Sequence, residues 1–260
     1  MKHLLFFVAL MTTLVVCGQT AKQSAQRKRA TTSVTKRQTN VRQRTQQNRQ
    51  AIVYKDVVYT IQGKTTGYAD GEWVKLCTPS PEGLLAYDSA QIKNGTFSFS
   101  GKTKEIPHMQ YLTLGSGMQK NITELFLEKG TMNVSLEAGK KKDRVTGTTH
   151  NNIYTPYRDS LNDTYTKLFA CITEQMKLSN SKEDRESYKA GADMLRQKIV
   201  DLSYDYANKN MDNWVGVYLF AEYYKRFTAQ QNKTLLPKLT KKYGRLPITG
   251  IIRKYVNAQK

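Results

Sequence analysis

The chain reads as α+β: an antiparallel β-sandwich or barrel module followed by a helical module. Three observations carry that reading. Between residues 57 and 147 apolar positions recur with a period of two, in short runs cut by Gly, Pro and Asn-Gly. After Asn151 the period lengthens to three and four residues. Ahead of both, residues 1–55 contain no acidic side chain. The expected organisation is an export signal at 1–18, a basic disordered linker at 19–54, an antiparallel β domain at 55–148 and a helical domain at 149–260.

The N-terminus is apolar from Leu4 to Val16 after Lys2 and His3, and Cys17-Gly18-Gln19 ends the run. That length is too short to span a bilayer and fits the apolar region of a secretory signal. Small residues suit cleavage after Gly18. The run Leu14-Val15-Val16-Cys17 also approximates a lipoprotein signal that would acylate Cys17, although Val16 is bulky for the position before such a cysteine. Either route places the folded part in the periplasm or at the outer membrane.

Residues 22–55 are Gln, Thr, Arg and Lys with few apolar side chains, and carry ten of the positive charges behind the net +20. Too little apolar surface is present to offset the entropy of ordering them. In a cell envelope such a tail reads first as a solvated spacer that holds the folded part away from a membrane. The alternative is contact with membrane or surface polyanions such as lipid phosphates and acidic sugars, and nucleic acid is not expected.

The β elements follow in order. Val57, Tyr59 and Ile61 alternate up to Gly63; Trp73-Val74-Lys75-Leu76 forms the next run, closed by Pro79. Residues 85–92 lead into Asn94-Gly95, and Thr96-Phe97-Ser98-Phe99-Ser100 returns. Asn-Gly between alternating runs predicts a hairpin, because both turn residues need positive φ. Residues 109–114, 122–128 and 131–137 complete the pattern, and Val145 closes it. The helical stripes are Ile153, Tyr157, Leu161, Leu168, Ile172 and Met176, then Tyr188, Ala192, Leu195, Ile199, Leu202 and Tyr206 behind a Ser181/Asp184 cap. A more apolar helix is expected at 213–227. Pro237 is placed to open another helix, and Pro247 precedes an amphipathic C-terminal one.

Several of these residues resemble a known family. Tyr59-x-Ile61-x-Gly63, Asp70-Gly71, Asp88-Ser89-Ala90, Asn94-Gly95-x-Phe97-x-Phe99-x-Gly101, Phe126-Leu127-Glu128-x-Gly130 and Val145-x-Gly147-x-x-x-Asn151 are similar to domain of unknown function 4369. The resemblance spans roughly residues 58–157. It continues more loosely through Asn210-Met211-Asp212-Asn213-x-x-Gly216. It implies a Gram-negative envelope protein, since the domain commonly precedes a thioredoxin-like domain of thiol–disulfide oxidoreductases. It supplies no catalytic residue.

Such relatives work through a Cys-x-x-Cys pair with an acidified thiol. Here the cysteines are Cys17, Cys77 and Cys171, with no such spacing. Cys171 is expected as a buried free thiol, while a Cys77–Cys171 disulfide is open in an oxidising compartment. His108 and His150 lie outside any metal-ligand spacing, alone or with the cysteines. Gly115-Ser116-Gly117 lacks the outer spacing of a nucleophile elbow and reads as a turn. Glu124 and Glu128 share a strand face and are expected to solvate it. No catalytic, cofactor-binding or metal-binding residue is predicted.

Lys140-Lys141-Lys142 reads as a hydrated loop. Tyr218, Tyr223 and Tyr224 could stack on sugars but are expected as core and rim. The C-terminal face of Ile248, Ile251, Ile252, Tyr255 and Val256 is expected to pack internally. Ser89 and Ser160 sit in short acid–hydroxyl–aliphatic patterns used for O-glycosylation in some envelopes. The expected role is non-enzymatic, binding or scaffolding an envelope protein partner. The competing expectation is an accessory that presents substrates to a thiol–disulfide exchange system.

Overall fold

A computed structural model describes residues 54–116, 120–139, 143–177 and 181–259. The expected export signal, with Cys17, and nearly all of the linker lie outside the described residues, as do Lys140-Lys141-Lys142 and Gly117. Eight strands come first: β1 (Asp56–Thr66), β2 (Trp73–Ser80), β3 (Gly83–Gln91), β4 (Thr96–Lys104), β5 (His108–Leu114), β6 (Asn121–Leu127), β7 (Gly130–Glu137) and β8 (Arg144–Thr146). Five helices follow: α1 (Thr149–Lys177), α2 (Lys182–Lys209), α3 (Trp214–Tyr223), α4 (Ala229–Tyr243) and α5 (Pro247–Ala258).

The strands form two four-stranded sheets, ordered β4-β1-β7-β8 and β3-β2-β5-β6. Each contributes one apolar face to a shared core. Ile61, Val74, Leu76, Leu112, Leu125 and Met132 are all buried there, as the alternating pattern requires. At Gly63 a Cβ would lie 2.0 Å from the Phe97 ring, so the missing side chain makes room for that ring. The Asn94-Gly95 turn has φ of 50° and 65°. Its amides donate to the Asp70 carboxylate at 2.7 and 3.0 Å, tying the hairpin to the preceding turn.

Two expectations about the sheets need correction. The β module is not wholly antiparallel: β1 pairs with β7 in parallel, Tyr59 opposite Gly130 through Thr66 opposite Glu137. Between them the chain makes β2 and β3 in the second sheet, returns to the first as β4, antiparallel to β1, and makes β5 and β6 in the second sheet before β7. Nor do the sheets close into a barrel. The edge of β6 is met by a side chain instead of a strand: Asn151 on α1 accepts from the Phe126 N–H at 2.9 Å and donates to its C=O at 2.8 Å. A further difference is at Pro79, which lies inside β2. There β2 has already lost its β5 neighbour, whose pairing ends at Cys77, so no ladder bond needs the absent N–H.

Ser181 caps α2, its hydroxyl accepting from the Asp184 N–H. Asn213 caps α3, which ends at Tyr223, short of the expected 227. Pro237 does not open a helix but sits within α4. That helix starts earlier, at a reciprocal capping box between Thr228 and Gln231. Pro247 is at the first turn of α5. Of the α1 stripe, Tyr157 and Leu168 are buried but Met176 is exposed, because the end of α1 extends past the helices packed on its first half. On α5, Ile252 and Val256 are buried against the helical core, Tyr255 packs on Tyr224 and Ile251 stays partly exposed.

Candidate functional site

The groups that sequence reading would examine for chemistry are mostly occupied in holding the modules together. Glu128 is buried and accepts from the His150 backbone N–H at 3.0 Å; its other oxygen lies 2.6 Å from His150 Nδ1. Burial pushes the Glu128 carboxyl up, but the bonds from His150 and Thr148 more than offset it and hold the carboxyl below its ordinary value. Glu124 accepts from the Tyr154 hydroxyl at 2.6 Å. Arg158, buried on α1, donates to the Glu124 and Asp143 carbonyls. The expected solvated strand face at Glu124 and Glu128 is therefore the junction with α1. Two acidic residues four apart on one strand face look the same in sequence whether water or a helix lies above them.

Of the tyrosines in and just after α3, Tyr218 belongs to the same junction, while Tyr223 and Tyr224 pack on Phe227 and Tyr255 within the helices. Tyr218 stacks edge-on to Phe126 and Tyr154, and Tyr223 and Tyr224 are buried. Burial and the neighbouring Glu124 drive the Tyr154 and Tyr218 hydroxyls far above their usual range. Glu222 is raised too, first by burial and then by Glu124, with Arg226 partly offsetting. Cys77 is buried with its thiol 3.6 Å from the Thr113 hydroxyl. Cys171 is also free but only half-buried, which corrects the expectation of full burial. No disulfide joins the two. His108 lies beside a small hollow of about 270 Å³ and contacts the Ile106 carbonyl at 3.2 Å.

A concavity of about 1080 Å³ opens elsewhere, on the outer face of the first sheet. Pairing across β4, β1, β7 and β8 sets two polar rows there. One runs Ser98, Gln62, Asn133, Thr146; the next runs Thr96, Lys64, Ser135, Arg144. Beyond the β4 edge, Lys93 bridges to Thr96 and adds a further cation, and Trp73 completes the wall with half its surface exposed. The lining holds Lys64, Lys93 and Arg144 and no carboxylate. Typical small-ligand pockets are mostly apolar. This one is open and lined about equally by polar and apolar atoms, which suits an extended ligand carrying both polar groups and apolar faces.

Sequence reading missed this face. Its residues are ordinary solvent-side positions of alternating strands, and only the parallel β1–β7 pairing brings Gln62 beside Asn133 and Lys64 beside Ser135.

Fold and site together describe a two-sheet module with a cationic outer groove, buttressed by helices. Residues 59–154 match the model of a domain of unknown function (DUF4369), and this segment is a DUF4369 domain. It runs from the inner residue Tyr59 of β1 to Tyr154 in α1, so Asn151 and His150, which clasp the β6 edge, fall inside it. None of the curated proteins compared with the chain matches it.

Proposed function

We propose that the chain is an exported, non-enzymatic protein of the cell envelope that binds or scaffolds an envelope partner, with the outer groove of the first sheet as its binding face. The observation that carries this reading is that groove: about 1080 Å³, three cations, no carboxylate, on a sheet whose other face is core. Binding groups on a rigid sheet lose little entropy when they engage a ligand. The apolar N-terminal run supports export, and the cationic residues 22–55 support a tether near anionic surfaces. Burial of Cys77 and pairing of His150 with Glu128 leave these groups committed to packing.

Export and binding are tested separately. Fractionation with intact-mass measurement is expected to find the protein in the envelope, starting at Gln19 or at acylated Cys17; full-length protein in the cytosol would overturn export. A photo-crosslinking residue at Gln62 is expected to capture an envelope macromolecule, whereas one at the exposed Lys189 of α2 is not. Equal yields from both positions, or none from Gln62, would remove the groove as the binding face.

A further inference from the structure

We infer that the groove takes an acidic oligosaccharide, a class that rests on reading this face as the binding surface. Strands about 4.8 Å apart set the spacing of side chains along each polar row, comparable with the length of one pyranose ring. A sugar chain laid across the strands therefore meets a fresh polar side chain at each residue. Those side chains suit hydroxyl groups, which both donate and accept. Gln62 and Asn133 offer amide donors and a carbonyl acceptor, and the Ser and Thr hydroxyls serve as either.

Charge selects among sugars. Lys64, Lys93 and Arg144 line the groove without a carboxylate, so a neutral glycan would leave their charge unanswered, whereas uronate or phosphate substituents would meet it. Arg144 presents a planar fork suited to a carboxylate, and the lysines act as mobile point charges. At the rim Trp73, 51% exposed, offers an aromatic body for the apolar face of a ring. Other occupants fit less well. An acyl chain would cover Lys64, Lys93, Arg144 and the two polar rows without pairing any of them. The chain's own residues 22–55, all cationic where charged, would be repelled by a cationic groove.

The test is titration calorimetry on the exported chain at about 0.15 M salt, where long-range attraction by the basic segment is screened. The probes are a galacturonic acid hexasaccharide, an uncharged galactose hexasaccharide and a hexameric oligothymidylate. The acidic sugar is expected to bind at least tenfold more tightly than either alternative. Its affinity should fall at least tenfold in Lys64→Gln/Arg144→Gln and again in Trp73→Ala, each with unchanged circular dichroism. Binding that survives all these substitutions would place the acidic sugar elsewhere on the chain and overturn the inference. So would preference for the uncharged sugar, or an oligothymidylate bound equally well with the same sensitivities. If no sugar binds while crosslinking at Gln62 persists, the ligand class is wrong and the binding face stands; if both fail, both readings fall.

Discussion

Asn151 shows how much one side chain can carry at the residue scale. It is 1% exposed and satisfies both the N–H and the C=O of Phe126, so its removal orphans two buried backbone groups at once. Asn151→Ala is expected to cost about 2–4 kcal/mol in urea denaturation, and hydrogen exchange at the Phe126 amide should accelerate. Two carboxyls, the buried Glu128 and the half-buried Glu222, pull in opposite directions with pH. Glu128 is held below its ordinary value near 4.5, so its stabilisation is present above that value and lost as pH falls through the lowered one. Glu128→Gln should therefore cost about 1–3 kcal/mol at pH 7, with a smaller penalty in acid. Glu222 is raised, so its contribution is fully present below about 4.5 and lost as pH rises through the elevated native value. Glu222→Gln should accordingly stabilise the fold by about 0.5–1 kcal/mol at pH 8, and by less at pH 5. Thermal melts of the two variants across pH would expose a wrong sign in either case.

At the scale of elements, close approaches decide which substitutions can be repaired. A Cβ at Gly63 meets the end of the Phe97 side chain, whereas one at Gly216 meets the Asn210 carbonyl oxygen at 2.2 Å. Gly63→Ala is expected to cost about 2–3 kcal/mol. Phe97→Leu in the same chain should recover part of that loss, with a coupling of about 1–2 kcal/mol in a double-mutant cycle. Gly216→Ala faces backbone, so no trimmed neighbour can rescue it, and a fully recovered variant would contradict the geometry. The elements themselves were legible because their signals are local. Asn94-Gly95 names its own turn, Ser181 and Asp184 name a helix start, and alternation from Thr96 to Ser100 names a strand. What failed was non-local. Nothing near Thr131 says that β7 lies parallel to β1, so the groove rows could not be assembled from the sequence. Pro237 misled because proline fits a first turn and is costly in a helix interior, yet here it sits in the interior of α4. Thr228 and Gln231, the true start, were the stronger cue.

For the whole molecule the question is whether sheets and helices unfold together. Phe126 belongs to a core strand and to the helical cluster, and Arg158 reaches the carbonyls of Glu124 and Asp143. These links predict one cooperative transition. The chain contains two tryptophans, Trp73 on the sheets and Trp214 at the start of α3, so Trp73→Phe and Trp214→Phe variants report on one module each. Their urea midpoints should coincide, and should separate when Asn151→Ala is added. Two separated midpoints in the parent chain would mean that the junction is weaker than its bonds suggest. The placement of β1 carries a consequence for how such a body is made. The earliest strand among the described residues is also an inner one, and the neighbour on its far side is synthesised only after the whole second sheet. Until Gly130 arrives, Tyr59 has nothing to lie against on that flank. The first sheet thus cannot be completed until the last strands of the module have been made.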